Sequence, residues 1–127
     1  MTIAEYLDAI KTRLMTDPVV AAFQIVRERS TSGDGYVRAK ATLSDDSQLE
    51  FAEYVQLMAD DRIDVVTYNY HWADAARQLI QRWDNTPHHP EVPGFPHHLH
   101  APVGDAPLPG QAMTIFTVLD EIARRLK

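Results

Sequence analysis

The 127-residue chain has no cysteine, which excludes disulfides and thiolate metal sites and gives no sign of an oxidising compartment. Long apolar runs are missing too. None approaches the roughly 18 residues that a membrane-spanning helix requires. Positive charge is in short supply: twelve Lys and Arg against eighteen Asp and Glu leave a formal net charge of −6. That balance argues against broad nonspecific nucleic-acid binding, which relies on neutralising phosphates with Lys and Arg. It still allows a local basic face, and it suits a basic partner protein. Residues 1–14 mix acids among their apolar positions and do not read as a secretory signal, and there are no internal repeats. What is left, at 45% hydrophobic and 24% charged, has the composition of an ordinary globular domain. The expectation is one soluble, cytoplasmic domain over residues 1–127.

Residues 2–15 predict a helix. Thr2 and Glu5 have capping-box spacing, and Ile3, Tyr6, Leu7, Ile10 and Leu14 form one apolar stripe. Asp17-Pro18 ends it. Residues 20–30 read as extended, and 30–35 (STSGDG) has turn composition. Val37, Ala39, Ala41 and Leu43 alternate with Tyr36, Arg38, Lys40 and Thr42; Leu49, Phe51 and Val55 alternate with Glu50, Ala52 and Tyr54. Turn residues follow at Asp45-Asp46-Ser47, Asp60-Asp61 and Asp74 to Arg77, with a Val-, Tyr- and Trp-rich stretch at 62–72 and a last strand at 78–85. Alternation of period two, with turns every ten or so residues, predicts antiparallel hairpins. Residues 74–81 have helix-favouring propensity, but only a strand there gives a consistent two-faced sheet. Residues 111–127 close the chain as a helix, with Ile115, Val118, Leu119, Ile122 and Leu126 at helical intervals and Arg124, Arg125 and Lys127 near its C-terminal end. The fold expected is α+β: an antiparallel sheet of about five strands, with an N-terminal and a C-terminal helix on one face and a long His/Pro-rich loop.

Keeping the apolar residues of each hairpin on one side predicts a register, because a one-residue slip would invert every side chain. It sets Leu43 opposite Leu49, Ala41 opposite Phe51 and Arg38 opposite Tyr54. It then sets Val55 opposite Val66, Phe51 opposite Tyr70 and Leu49 opposite Trp72, and finally Trp72 opposite Leu79, Tyr70 opposite Gln81 and Tyr68 opposite Trp83. The face left for solvent carries Arg38, Lys40, Glu50, Tyr54, Asn69, His71, Arg82 and Asp84, with Glu50 facing His71 and Asn69 facing Arg82. Opposed residues have Cβ atoms about 4.5–5.5 Å apart, within side-chain reach. A carboxylate beside an imidazole orients it, and neighbouring guanidinium groups stabilise a developing anion, chemistry suited to a phosphodiester. One face of an antiparallel sheet is often polar merely because it is solvated. The mixture of Arg, Tyr, Glu and His is more varied than a plain Lys/Glu/Thr surface, however.

All six histidines and both tryptophans fall between Tyr70 and His100, and seven of the eight prolines fall in 86–110. A loop this long in a small domain is usually functional or disordered. Its His88-His89 and His97-His98-x-His100 leave two chemistries open, metal-free acid–base catalysis and a bound divalent metal. No cofactor is required by any motif, and neither HExxH spacing nor cysteine is present to define a metal site. Trp72 and Trp83 are read as core.

Four strings occur in order: Glu50-Phe51-x-Glu53-Tyr54, Tyr70-His71-Trp72, Arg82-Trp83-Asp84-Asn85-x-Pro87-His88-His89-Pro90 and Phe95-Pro96-His97-His98-x-His100. In order and spacing they resemble the TumE-type toxin family of prokaryotic toxin–antitoxin modules. The likeness takes in the leading helix, the strand bearing Arg38 and the closing helix. It departs at Asp74-Ala75-Ala76-Arg77, where members often carry an Asp-Gly-type turn. The resemblance implies a small cytoplasmic ribonuclease toxin, neutralised by a helix-turn-helix antitoxin with which it would form a complex.

The site expected on the polar face has His71 as general base oriented by Glu50, with His88 or His97 as general acid. Arg38 and Arg82 hold the phosphate of an RNA substrate, and Lys40, Tyr54 and Asp84 support substrate binding. The alternative is a non-catalytic protein-binding module with a docking loop or a structural metal held by it. A nucleotidyltransferase ranks lower, since no Gly-Ser followed by paired carboxylates is present.

Overall fold

The computed structural model describes residues 1–85 and 113–126, together with the backbone of the short strands at 98–100 and 108–109. The chain runs α1 (Ile3–Thr16), β1 (Val20–Ser30), β2 (Asp34–Leu43), β3 (Gln48–Leu57), β4 (Ile63–Ala73), β5 (Leu79–Asp84), β6 (His98–His100), β7 (Leu108–Pro109) and α2 (Ile115–Arg125). The strands form one antiparallel meander in chain order. Five long strands carry the sheet, and β6 and β7 extend it within the His/Pro-rich region.

Both helices begin where the sequence supplies caps. The Thr2 hydroxyl accepts from the Glu5 amide, and the Glu5 carboxylate accepts from the Thr2 amide, so two otherwise orphaned donors are satisfied. Thr114 and Thr117 make the corresponding pair at α2. The α1 stripe of Ile3, Tyr6, Leu7, Ile10 and Leu14 is buried as expected. With Ile115, Val118, Leu119 and Ile122 of α2 it packs on the inward residues of β2, β3, β4 and β5. Tyr6 meets Phe116 edge-on with ring centroids 6.0 Å apart. The Gly35 position explains itself by close approach: a Cβ there would sit 2.6 Å from Ile3 Cγ2.

The core also contains a carboxylate. Glu53 is fully buried on the face that alternation reserves for apolar residues. It accepts the Tyr6 hydroxyl at 2.6 Å, the Tyr70 hydroxyl at 2.7 Å and the Ile115 amide at 2.7 Å. One side chain of β3 is thus bonded to α1, β4 and the first turn of α2. Burial pushes its pKa up, with the three donors opposing that shift. The same burial, with Glu53 nearby, holds both phenols in their protonated form.

Three hairpins turn in the same way. Asp46, Asp61 and Arg77 occupy the left-handed region, with φ of 69°, 63° and 66°. In each turn the amide of that residue donates to the carbonyl three residues back. For β4–β5 this gives a tight turn over Asp74–Arg77, in which the Asp74 carboxylate accepts from the Ala76 and Gln78 amides at 2.9 Å. Asp and Asn tolerate the left-handed region better than other non-glycine residues, so Arg77 is the odd member.

These turns correct the expected register in two places. Between β2 and β3 the turn closes at Leu43 and Ser47, so Ala41 faces Leu49, Ala39 faces Phe51 and Tyr36 faces Tyr54. Between β4 and β5, Arg77 adds a third loop residue and Ile80 is an extra residue opposite Trp72 and Ala73. Tyr70 therefore faces Trp83 and Trp72 faces Gln81. The β3–β4 pairing of Leu49 with Trp72 and Phe51 with Tyr70 is as expected. Beyond it, a bulge at Val66 sets Val55 opposite Val65. Each displacement past a turn is by two residues, so the faces are preserved while the partners change.

Replacing Gly35 with Ala should lower stability by about 1–3 kcal/mol through overpacking against Ile3, measured by urea denaturation. The raised Glu53 pKa predicts a pH dependence of the opposite sign to an ordinary paired carboxylate. Its contribution is fully present below the unfolded value near 4.5 and is lost as pH rises through the higher folded value. Between pH 5 and pH 8 the parent chain should therefore lose stability relative to Glu53→Gln, and equal slopes for the two would contradict the assignment.

Candidate functional site

The face that the helices leave uncovered is read across the strands. Lys40 of β2 pairs with Glu50 of β3, Glu50 with His71 of β4, and His71 with Arg82 of β5. The backbone of Arg82 in turn pairs with that of His100 in β6. Strand pleating turns directly opposed residues to the same side, so amine, carboxylate, imidazole and guanidinium stand side by side. The expected contact of Asn69 with Arg82 is replaced. Asn69 faces Asp84, because of the longer β4–β5 turn and the extra residue at Ile80, and Arg82 moves next to His71.

Glu50 is held from the neighbouring row. Arg38 Nη2 donates to Glu50 Oε1 at 2.5 Å, so among the described residues the carboxylate is bonded by guanidinium and not by the imidazole. Glu50 first, and Tyr36 after it, keep Arg38 charged. Both partners are substantially exposed, 47% and 39%. Such a pair contributes only about 0–1 kcal/mol, which leaves Arg38 able to exchange the carboxylate for a ligand phosphate at little cost.

Arg82 Nε donates to Asp84 Oδ2 at 3.1 Å, with the Asp84 side chain 2% exposed and that of Arg82 34% exposed. Asp84 is therefore an anchor that aims Arg82, while Arg82 keeps an accessible edge. Tyr54 goes elsewhere: its hydroxyl donates to Asp34 at 2.8 Å and accepts from Gln56, away from His71. Two hollows flank the Glu50–His71 pair. One, of about 360 Å³, has Arg38, Asn69 and Arg82 on its walls. The other, of about 540 Å³, has Lys40, Gln48 and Arg77. Tyr36, Gln48 and Arg77 were not expected here. Tyr36 was legible as a polar-face neighbour of Arg38, whereas Gln48 and Arg77 depend on turn geometry. His88 and His97 lie outside the described residues. Among the described residues no three His, Asp or Glu side chains group as a metal site.

A family model described as Toxin TumE matches residues 8–126. The chain belongs to the TumE toxin family. No curated protein and no solved structure matches it. Membership in a toxin family implies an antitoxin partner. No helix among the described residues is long and apolar enough to cross a membrane.

In this TumE-family chain the Arg82-Trp83-Asp84-Asn85 string divides its labour by pleat. Trp83 is core, Arg82 and Asp84 belong to the polar face, and Asn85 completes the sheet. The Asn85 amide accepts from the Tyr68 amide at 2.9 Å and donates to the Val66 carbonyl at 2.8 Å. It supplies ladder bonds on the β5 side of β4, just past Asp84, where strand pairing ends. Asn85→Ala should thus lower stability by about 1–3 kcal/mol, the cost of leaving such groups unpaired. Arg82→Gln takes the cation from an Asp84 side chain that is only 2% exposed and should cost a comparable amount, about 1–3 kcal/mol. Urea midpoints of the two variants check this.

Proposed function

We propose that this chain is the toxin of a type II toxin–antitoxin module and acts as an endoribonuclease on RNA, with its polar sheet face as the active site. The observation that supports the reading most is the uninterrupted Glu50–His71–Arg82 row, flanked by Arg38. On this reading His71 takes the proton from a ribose 2′-hydroxyl as the 2′-oxygen bonds to phosphorus. Arg82 and Arg38 balance the charge that gathers on the non-bridging oxygens. The P–O5′ bond breaks, leaving a 2′,3′-cyclic phosphate and a 5′-hydroxyl. The leaving oxygen receives its proton from a second histidine, for which the sequence offers His88 or His97. Glu50 stabilises the imidazolium across the strand, and Asp84 keeps Arg82 aimed. The partner expected is a helix-turn-helix antitoxin, and the compartment the cytoplasm.

General acid–base catalysis typically supplies about 100- to 10,000-fold, so loss of the base should silence the toxin. His71→Ala and Arg82→Ala should each abolish growth arrest on expression while circular dichroism shows a folded chain. If both folded variants stay toxic, the site lies elsewhere. Incubating the purified protein with labelled RNA, with and without chelator, separates the chemistries. Cleavage that survives chelation fits His71 acting as base, cleavage lost on chelation points to a bound metal, and no cleavage points to a protein-binding module.

A further inference from the structure

On the side of the β4–β5 turn, the hollow beyond His71 has walls that play no part in the chemistry above. It shares Glu50 and His71 with the Arg38–Arg82 hollow and adds Lys40, Gln48 and Arg77. Among the described residues neither Lys40 nor Arg77 makes an ion pair, and both are exposed. The nearby acids are already engaged. Glu50 is bonded by Arg38, and the Asp74 carboxylate accepts from the Ala76 and Gln78 amides. The Gln48 carbonyl oxygen accepts from Thr42, which leaves its amide nitrogen as a donor. The backbone adds a separate observation. Arg77 holds the left-handed position with φ of 66°, where Gly or Asn would sit with less strain. A strained residue that gives up local stability in a cleft is a reason to look for function.

Resting on the ribonuclease reading, we propose that Lys40, Gln48 and Arg77 form a second phosphate subsite, which takes the phosphate next to the scissile one. The substrate is then a single strand crossing the sheet parallel to β3 and β4. From the shared Glu50 and His71 the two hollows extend in opposite directions along β3 and β4, one to the row of Ala52 and Asn69, the other to the row of Gln48 and Ala73. Rows on one face are two residues apart, about 6.8 Å along a strand, comparable to the step between neighbouring phosphates of an extended nucleic-acid strand. Two cations on either side of His71 would hold the strand at two points and fix which phosphate meets the base. The preference is for an oligonucleotide over a mononucleotide or a dinucleoside monophosphate.

The test uses the full chain carrying His71→Ala, so that RNA is bound and not cut. The probe is a labelled oligouridylate of about 10 nucleotides, within the site sizes that single-strand binders cover. Adding Arg77→Gly removes the cation and relieves the backbone, so loss of folding is not a competing explanation; Lys40→Gln tests the other wall. Each should weaken binding roughly five- to tenfold at low salt, and should make the slope of log affinity against log salt shallower by about 0.7, the single-strand value for one phosphate contact. Arg77→Lys should retain most of the affinity, and the losses should shrink for uridylyl-uridine, which has one phosphate. Parent-like affinity and slope in both variants would overturn the subsite, as would a parent that does not bind the probe. Cleavage by the native protein together with neutral variants would sink the subsite alone. The predicted losses without any cleavage by the native protein would instead sink the ribonuclease reading and leave the subsite standing.

Discussion

A β-strand turns successive side chains to opposite faces, and everything distinctive about this molecule follows from how that constraint is satisfied on β2 to β5. Once Val37, Phe51, Tyr70 and Trp83 are committed to the side under the helices, Arg38, Glu50, His71 and Arg82 have nowhere to go but the other side. These polar groups are brought together by the same pleat that builds the core, which is why the candidate site stands on paired strands. Antiparallel pairing converts residues far apart in the chain into neighbours. Lys40 and Arg82, separated by more than 40 positions, end in one row.

Glu53 is where the alternation is broken, and it shows what the core needs beyond apolar contact. A buried carboxylate is tolerated when its lone pairs are met. Here the donors are two phenols and the first amide of α2, so the same residue fixes where both helices sit. The Arg13–Asp120 ion pair and the Tyr6–Phe116 contact join the helices to one another. With both helices held on one side of the sheet, they leave the opposite face of β2 to β5 uncovered.

Much of this was legible in the sequence because it rests on local periodicity. The α1 stripe, its capping box, the two faces of the sheet and the Glu50–His71 pairing follow from apolar spacing and the need to keep it on one side. Register across the β2–β3 and β4–β5 turns did not follow, since it depends on φ at single residues. Nothing in Asp74-Ala75-Ala76-Arg77 announces that Arg77 takes the left-handed position, or that Ile80 is an extra residue, and together they exchange Asn69 for His71 as the neighbour of Arg82. Glu53 gives no such signal, because a carboxylate in an alternating strand reads as surface. Its partners Tyr6, Tyr70 and Ile115 are distant in sequence, so only the folded arrangement reveals them. Asn85 belongs to the string that carries the family resemblance, yet its side chain extends the ladder of β4 past the end of β5, a role that periodicity does not register.

The proposed activity requires the uncovered sheet face to be the surface that meets nucleic acid. The most direct measurement is a titration of the isotopically labelled protein with an uncleavable oligodeoxynucleotide, followed through its backbone amide resonances. If nucleic acid binds there, the largest shifts fall on Arg38, Lys40, Glu50, His71 and Arg82, with the amides of α1 and α2 unmoved. Shifts clustered on the helices, or none at concentrations that saturate a basic single-strand binder, would contradict it.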